Sequence, residues 1–541
     1  MISYQNKIRN EIESTLIFLG ENENQYGFLI KLCFENQLIL KNISIKNHLL
    51  LKKNIFRKEN LTLQIKYNQF LENKKEIRRI LEMPLNEQST NIEKLKKETE
   101  KIEKDLHKGS SNFSEYKKSI TVNNKLIKNE LKKDEILIDF VSFNHYKKNA
   151  TDSIVYAAFI VKKDSKFPKF ISLFEEKELE FLLSKNKTHQ DSTRIDKQYT
   201  EKAISDLFLK PLEKELQGIT TIYLSPTGLG HQIDYAALPL SNKQLFGEKY
   251  KLHILSSPSE IMDYKQASLD KNSELELILY GGIDYDKTNT IIKSDNDIVD
   301  NDIVDNDIIF QGQQIRSGIS GFGYLKGSKK EVEQIQILGE QSRFKSSLFN
   351  DREATELSIK KLDGRITPFV LHLATHGFFF ADPIQELSNG INSIEGKSKI
   401  YEASDDPMMR SGLLLAGANN YWGKSSGNTT TEDGILTASE ISNLDLSACQ
   451  LVVLSACETG LGEVKGSEGV FGLQRAFKMA GVKNIIMSLW KVPDAQTAEL
   501  FEIFYSECFA GKTIHEAFQA TQSKMKAKYS PYYWAGFVLL E

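Results

Sequence analysis

FVLHLATHG (369–377) and QLVVLSAC (450–457) are the two stretches whose reading decides the fold. Each is a near-continuous apolar run that ends in a reactive side chain, His376 in the first and Cys457 in the second. Runs this short, without polar alternation and rich in Val, Leu and Phe, suit strands covered on both faces. Five further runs share the pattern: EILIDFVSF (135–143), SIVYAAFIV (153–161), TTIYLSP (220–226), LELILYGG (275–282) and NIIMSLW (484–490). Helical stretches separate most of them, which predicts an α/β fold with a mainly parallel sheet and helices on both faces. In such sheets the reactive groups gather just beyond the carboxyl ends of the strands. If the two strands are neighbours, imidazole and thiol meet at one edge.

That pairing has a chemical logic. A cysteine near neutral pH is only a few per cent thiolate, and a histidine that takes its proton activates it. Gly377, lacking a Cβ, lets a substrate carbonyl approach the backbone, so its N–H and that of Cys457 are candidate oxyanion donors. For an arbitrary pair, the plainer account is a buried thiol and a strand-end imidazole. His372 and His376 have the HxxxH spacing of zinc ligands, but on a strand and without an evident third ligand, so His372 reads as a packed strand residue and no metal is expected. Cys449 stands at the opposite end of its strand and reads as structural. Gly511-Lys512-Thr513 echoes the end of a phosphate-binding loop, yet position 506 is Ser where the first glycine belongs, and a helix precedes it. No GxSxG elbow supports a serine hydrolase.

The rest of the chain sets the frame. At 541 residues it exceeds the ~250 to 300 at which single cores stop growing. Forty per cent hydrophobic and 26% charged residues with a formal charge of −3 describe an ordinary globular chain without a global basic field for nucleic acid. Cys33, Cys449, Cys457 and Cys508 show neither disulfide-scaffold nor zinc spacing. With no export signal and no run near the ~18 apolar residues of a membrane span, a cytoplasmic location is expected.

Residues 1–133 read as a helical segment, divided at Pro84. Ile92, Leu95, Thr99, Ile102 and Leu106 then recur at three- and four-residue intervals and predict one arm of a helical hairpin. Such a pair is either a solvated element of its own domain or a docking lever. Two stretches break the α/β order. SDNDIVDNDIVDND (294–307) reads as a solvated, disordered loop, or as a Ca²⁺ site lacking the glycine and terminal glutamate of an EF-hand. Residues 381–433 form a long polar insertion between the two reactive residues.

LHLATHGFF (371–379), DGILTASEI (433–441), LVVLSACETGLGEVKGSEGVFGLQRAFKMAGVKNIIMSLWKVPD (451–494) and YYWAGFVLLE (532–541) resemble the CHAT domain, a bacterial relative of caspases and separases. YLSPTGLGHQIDYAAL (223–238), YLKGSKKEVEQI (324–335) and DREATE (351–356) extend the resemblance. It implies a caspase-like domain over 134–541, with an N-terminal pseudo-half (134–340) and a catalytic half (341–541). It also implies a cysteine endopeptidase whose dyad maps onto His376 and Cys457, without a cofactor. Family members often carry tetratricopeptide repeats upstream; this chain has no full array. The LWKVPD segment is similar to one in separases whose aspartate receives a basic P1 side chain, which assigns substrate binding to Asp494; its plainer role is to cap the helix that follows. A restrained protease with two long loops beside a helical segment further implies a protein substrate and a protein activator or regulatory partner. The contrasting expectation is a silent interaction scaffold that keeps the fold.

Overall fold

The computed structural model describes residues 26–41, 43–55, 61–81, 92–110, 122–147, 149–184, 192–241, 244–262, 274–286, 321–380, 406–422, 432–456 and 470–541, with isolated residues between them. The acidic repeat at 294–307, most of the 381–433 insertion and Cys457 lie outside the described residues.

All seven apolar runs form strands, in two sheets. The first sheet contains β1 (Glu135–Lys147), β2 (Asn149–Lys162), β3 (Lys169–Glu175), β4 (Thr221–Ser225) and β5 (Lys251–Ile254), in the order β3-β2-β1-β4-β5. Its β1–β2 and β2–β3 pairs are antiparallel. One residue joins β1 to β2, which allows only a hairpin, so this sheet is more mixed than the apolar runs suggest.

The second sheet is parallel except at one edge. It contains β6 (Glu276–Ile283), β7 (Lys345–Asp351), β8 (Phe369–Ala374), β12 (Cys449–Ser455), β13 (Asn484–Ser488) and β14 (Phe537–Leu540). Their order is β14-β13-β12-β8-β6-β7, with only β14 antiparallel. A small antiparallel sheet of β9 (Gly377–Phe379), β10 (Ser411–Leu414) and β11 (Ile435–Thr437) sits beyond β8. The two large sheets meet edge to edge, where the Glu541 N–H donates to the Ile254 carbonyl at 2.9 Å.

Side chains alternate across each strand. Val370, Ala374, Leu451, Val453 and Ile486 therefore share one core with Val332 and Ile335 of α6 (Lys326–Gln341) and with Leu500, Phe501 and Phe504 of α9 (Asp494–Phe509). Leu371, Leu373, Val452, Leu454 and Ile485 share the opposite core with Ile441 of α7 (Ala438–Asn443) and with Ala476 and Phe477 of α8 (Leu473–Met479). Both faces are covered, as near-continuous apolar strands require. At about 25 cal/mol per Å² of apolar area, a fully buried Leu or Phe contributes ~1.5 to 3 kcal/mol, so these two cores carry most of the fold's stabilisation.

Ahead of the sheets lie α1 (Gly27–Leu40), α2 (Ile43–Ile55), α3 (Leu61–Leu81), α4 (Ile92–Ser110) and α5 (Asn124–Glu130). The expected seam is real: Thr99 and Leu106 are buried, and Leu106 and Ile102 pack with Leu63, Tyr67 and Phe70 of α3. Ile30, Phe34 and Leu38 of α1 cover one face of the first sheet, against Leu137, Val141 and Phe159. Two buried lysines tie these helices down. The Lys41 Nζ donates to Asp139 Oδ1 at 2.6 Å and to the Phe140 and Ser225 carbonyls. The Lys52 Nζ donates to the Ser442 and Leu444 carbonyls, both at 2.7 Å, where α7 ends.

Candidate active site

β8 and β12 are adjacent and parallel, with Ala374 paired to Ser455. Ala374 and Ser455 thus stand side by side at one sheet edge, two positions ahead of His376 and Cys457 in the sequence. Cys457 itself is outside the described residues; His376, Gly377 and Asp494 are within them.

His376 is half-buried between the rings of Tyr285 and Phe322, at centroid distances of 5.1 and 5.3 Å. Its main chain is fixed on both sides: its N–H donates to the Tyr285 hydroxyl at 3.3 Å, and its carbonyl accepts from Leu414 N at 2.9 Å. The imidazole is fixed too. Nε2 lies 2.9 Å from the Gly323 carbonyl. A carbonyl can only accept, so Nε2 carries the proton and, in the neutral ring, Nδ1 is left as the base. The Gly323 segment is itself held by the Asn419 amide, which accepts from Phe322 N at 2.7 Å and donates to Phe322 O at 3.1 Å. Gly377 opens β9, opposite Leu413, and is partly exposed.

Asp494 is exposed and is the first residue of α9; the cap position belongs to Pro493, without a side-chain cap bond. The helix-cap reading is thus corrected by one residue, because a proline with fixed φ already ends the loop. The Asp494 side chain lies against Gly327: a Cβ on that glycine would sit 2.3 Å from Asp494 Cβ and 2.4 Å from Oδ2. Gly327 is in the first turn of α6, whose Leu325 cap makes no side-chain bond. The carboxylate therefore stands at two helix N-termini, whose partial positive charges favour an anion there. From Gly323 to Gly327 the chain spans at most about 14 Å, so His376 and Asp494 flank one short segment.

Beneath the strand ends His372 is the packed strand residue the sequence suggested, whereas its partners Glu331, Tyr505 and Ser455 were not singled out there. His372, fully buried, places Nε2 at 2.7 Å from Glu331 Oε1 and Nδ1 at 3.2 Å from the Tyr505 hydroxyl. Ser455 Oγ donates to Glu331 Oε2 at 3.1 Å. The signal for Glu331 was available: it falls on the same stripe of α6 as Ser328, Val332, Ile335 and Gly339, where an apolar residue is the norm. Gly281 and Gly282 let α6 come this close, since a Cβ at Gly281 would meet the Ser328 carbonyl at 2.6 Å.

The other cysteines are ill-suited to chemistry. Burial pushes the Cys449 thiol up to about 12 and the Cys33 thiol up to about 11. Cys449 begins β12, and its Sγ lies 3.2 Å from the Leu451 carbonyl.

Among the described residues, His253, His515 and Glu541 bring metal-capable atoms within 4.8 Å of one another. Their Nδ1 atoms lie 2.6 and 3.1 Å from Glu541 Oε2, hydrogen-bond distances that satisfy the carboxylate where the two sheets join. A cavity of about 50 Å³ lined by Asp234, Tyr235 and His515 lies at the same junction, not beside His376.

Among known proteins, Tetratricopeptide repeat protein 28 of Mus musculus is 37% identical over 110 residues, and its Homo sapiens counterpart 36%. The matched segment is 20% of this chain and 4% of those relatives, so the chain spans only a small part of their length. Among solved structures, the Saccharomyces cerevisiae separase–securin complex aligns at a TM-score of 0.43 and 10% identity, covering 100% of this chain and 40% of that one. The Arg-specific cysteine proteinase gingipain R aligns at 0.32 and 11%, covering 65% and 67%. Among the described residues, no helix is long and apolar enough to cross a membrane. The CHAT domain model matches residues 198–541, more than half of the chain, and the protein belongs to the CHAT domain family.

Proposed function

We propose that this CHAT-family chain is a cysteine endopeptidase in which His376 and Cys457 form the catalytic dyad. The observation that carries the reading is the Gly323 carbonyl on His376 Nε2, which reserves Nδ1 as the base at a strand end adjacent to that of Cys457. Nδ1 takes the thiol proton, and the thiolate attacks the peptide carbonyl. The Gly377 and Cys457 N–H groups receive the developing oxyanion. The imidazolium then protonates the departing amine, leaving an acyl-thioester. His376 next deprotonates a water that hydrolyses it, which restores the thiol.

Asp494 is the proposed seat of a basic P1 side chain. Its place at two helix N-termini keeps a negative charge favourable beside the segment that contacts His376. Arginine suits it best, since its planar fork makes two charge-assisted bonds to one carboxylate. A regulatory protein partner acting through the N-terminal helices also fits, because Lys52 grips the end of α7 and, at 3.4 Å, the Met479 carbonyl of α8. Buried free thiols at Cys33, Cys449 and Cys508 suit a reducing cytoplasm.

The test is covalent labelling with an electrophilic P1-Arg peptide, read residue by residue by mass spectrometry. Label is expected on Cys457, lost in His376→Ala and retained in Cys449→Ala. A folded wild-type chain that takes no label at Cys457, alone or with candidate partners, would refute the reading in favour of a silent scaffold.

A further inference from the structure

We propose that Glu331 is a positioning residue for the His376/Cys457 pair, holding the ends of β8 and β12 at one separation and setting α6 against both. The inference rests on the peptidase reading above and deepens it.

Glu331 is 3% exposed. A buried carboxylate is costly, and an apolar residue there would complete the stripe of α6, so stability alone does not call for it. Its two oxygens are divided between two strands. Oε1 takes His372, four residues before His376; Oε2 takes Ser455, two residues before Cys457. Period-two alternation puts both partners on the α6 face, beside Val370 and Ala374 on one strand and Leu451 and Val453 on the other. The proton assignments are consistent. The carboxylate accepts from His372 Nε2–H and from the Ser455 hydroxyl, which leaves His372 Nδ1 to accept from the Tyr505 phenol.

The same helix reaches the site from its other end. Gly327, one turn before Glu331, touches Asp494. Ser328 Oγ accepts from Gly282 N at 3.0 Å and donates to the Leu325 carbonyl at 2.9 Å, locking the first turn to β6. Gly323, just upstream, holds the imidazole. The P1 seat, the imidazole contact and the two strand ends are thus referred to one rigid element, with Glu331 as the bond between that element and the strands.

Three variants of the full chain test this: Glu331→Leu, Glu331→Gln, and the apolar triple Glu331→Leu/His372→Leu/Tyr505→Phe. The readouts are thermal midpoint, kcat and KM on P1-Arg peptides, and the pH profile of Cys457 alkylation by iodoacetamide. Since an ångström of misplacement costs ~10²-fold, Glu331→Leu should lower kcat by about 30- to 100-fold with KM little changed. The alkylation midpoint should move toward that of a free thiol. Glu331→Gln keeps an acceptor for His372 and a partner for Ser455, so it should stay within about fivefold. Of the network, the triple variant leaves only the half-buried Ser455 hydroxyl without its carboxylate, so it should regain most of the thermal midpoint while kcat stays low.

Recovery of kcat together with the midpoint in the triple variant would reduce Glu331 to a structural residue. So would a Glu331→Leu chain whose kcat and alkylation profile match wild type. A wild-type Cys457 that alkylates no faster than in His376→Ala refutes the dyad itself, and this inference with it.

Discussion

Gly327→Ala is the substitution that most directly probes how the P1 seat is built. The glycine has ordinary helical geometry, so alanine suits its backbone and improves helix propensity by ~1 kcal/mol. The obstacle is Asp494, whose Cβ and Oδ2 would lie 2.3 and 2.4 Å from the new methyl. Ordinary carbon contacts begin near ~3.5 Å, so the carboxylate must retreat by about an ångström. It cannot do so by sliding α9, because Leu500, Phe501 and Phe504 are fully buried behind it. The overpacking should cost ~1 to 3 kcal/mol, which the propensity gain partly offsets, so the thermal midpoint should move by only a few degrees. Catalysis should change far more. A seat displaced by an ångström predicts a loss of about 10² in kcat/KM on P1-Arg peptides and little change on P1-neutral ones. The assay is hydrolysis of fluorogenic peptides that differ only at P1, under conditions where the Cys457 probe reacts. Gly327→Ala/Asp494→Ala should be no worse than Asp494→Ala alone, since both act on one carboxylate. Unchanged P1-Arg cleavage in Gly327→Ala, or strictly additive losses in the double variant, would refute the assignment.

Other perturbations address the frame. Lys41→Ala strands Asp139, which is fully buried, and should cost roughly 3 to 5 kcal/mol; Lys41→Met with Asp139→Leu should recover most of it in the same calorimetric experiment. Burial pulls the Lys41 ammonium down and pushes the Asp139 carboxyl up, so neither charge is comfortable without the other. Burial alone would raise the Glu541 carboxyl, but hydrogen bonds from His253 and His515 prevail and hold it at about 2, against 4.5 in the open chain. A depressed carboxyl contributes stability above the open-chain value and loses it as pH falls from 4.5 through 2. At ~1.4 kcal/mol per pH unit that is about 3 kcal/mol, so Glu541→Gln should flatten the acid-unfolding curve across this window. Lys52→Ala removes the grip on α7 and α8 and should raise Cys457 labelling severalfold in the absence of any partner; an unchanged rate would argue against regulation through the N-terminal helices.

How much was legible in the sequence follows from what each element needed. Strands buried on both faces announced themselves, because QLVVLSAC and FVLHLATHG have little else to be. The strands that were not singled out are short or lie at edges: KLHI is four residues long, and KSSLFND, at the rim of the second sheet, is only partly buried. Their pairing comes from the neighbouring strand more than from their own composition. The same division runs through the site. His376 could be named from its place after a strand, whereas its Nε2 partner is a backbone carbonyl, which no residue type advertises. Asp494 could be named, but its neighbour is a glycine distinguished only by what it lacks. Glu331 was readable as a charge on an apolar stripe, although its two partners lie 41 and 124 positions away.

The Asn419 amide has a consequence for how this fold can vary. Its Nδ2 donates to Asp286 Oδ1 at 2.8 Å, while its Oδ1 accepts from Phe322 N. One side chain thus ties Asp286, just after β6, to Phe322, just before α6. With those two points pinned to each other, the number of residues between them enters the energetics weakly, since each doubling of a closed segment adds only ~0.6 kcal/mol of closure entropy. Insertion of extra sequence between positions 286 and 322 is therefore expected to leave labelling of Cys457 unchanged. The Asn419 side chain shares the pinning with the main chain around it, since the Gly417 and Asn419 N–H groups donate to the Asp284 and Tyr285 carbonyls at 3.1 and 3.0 Å.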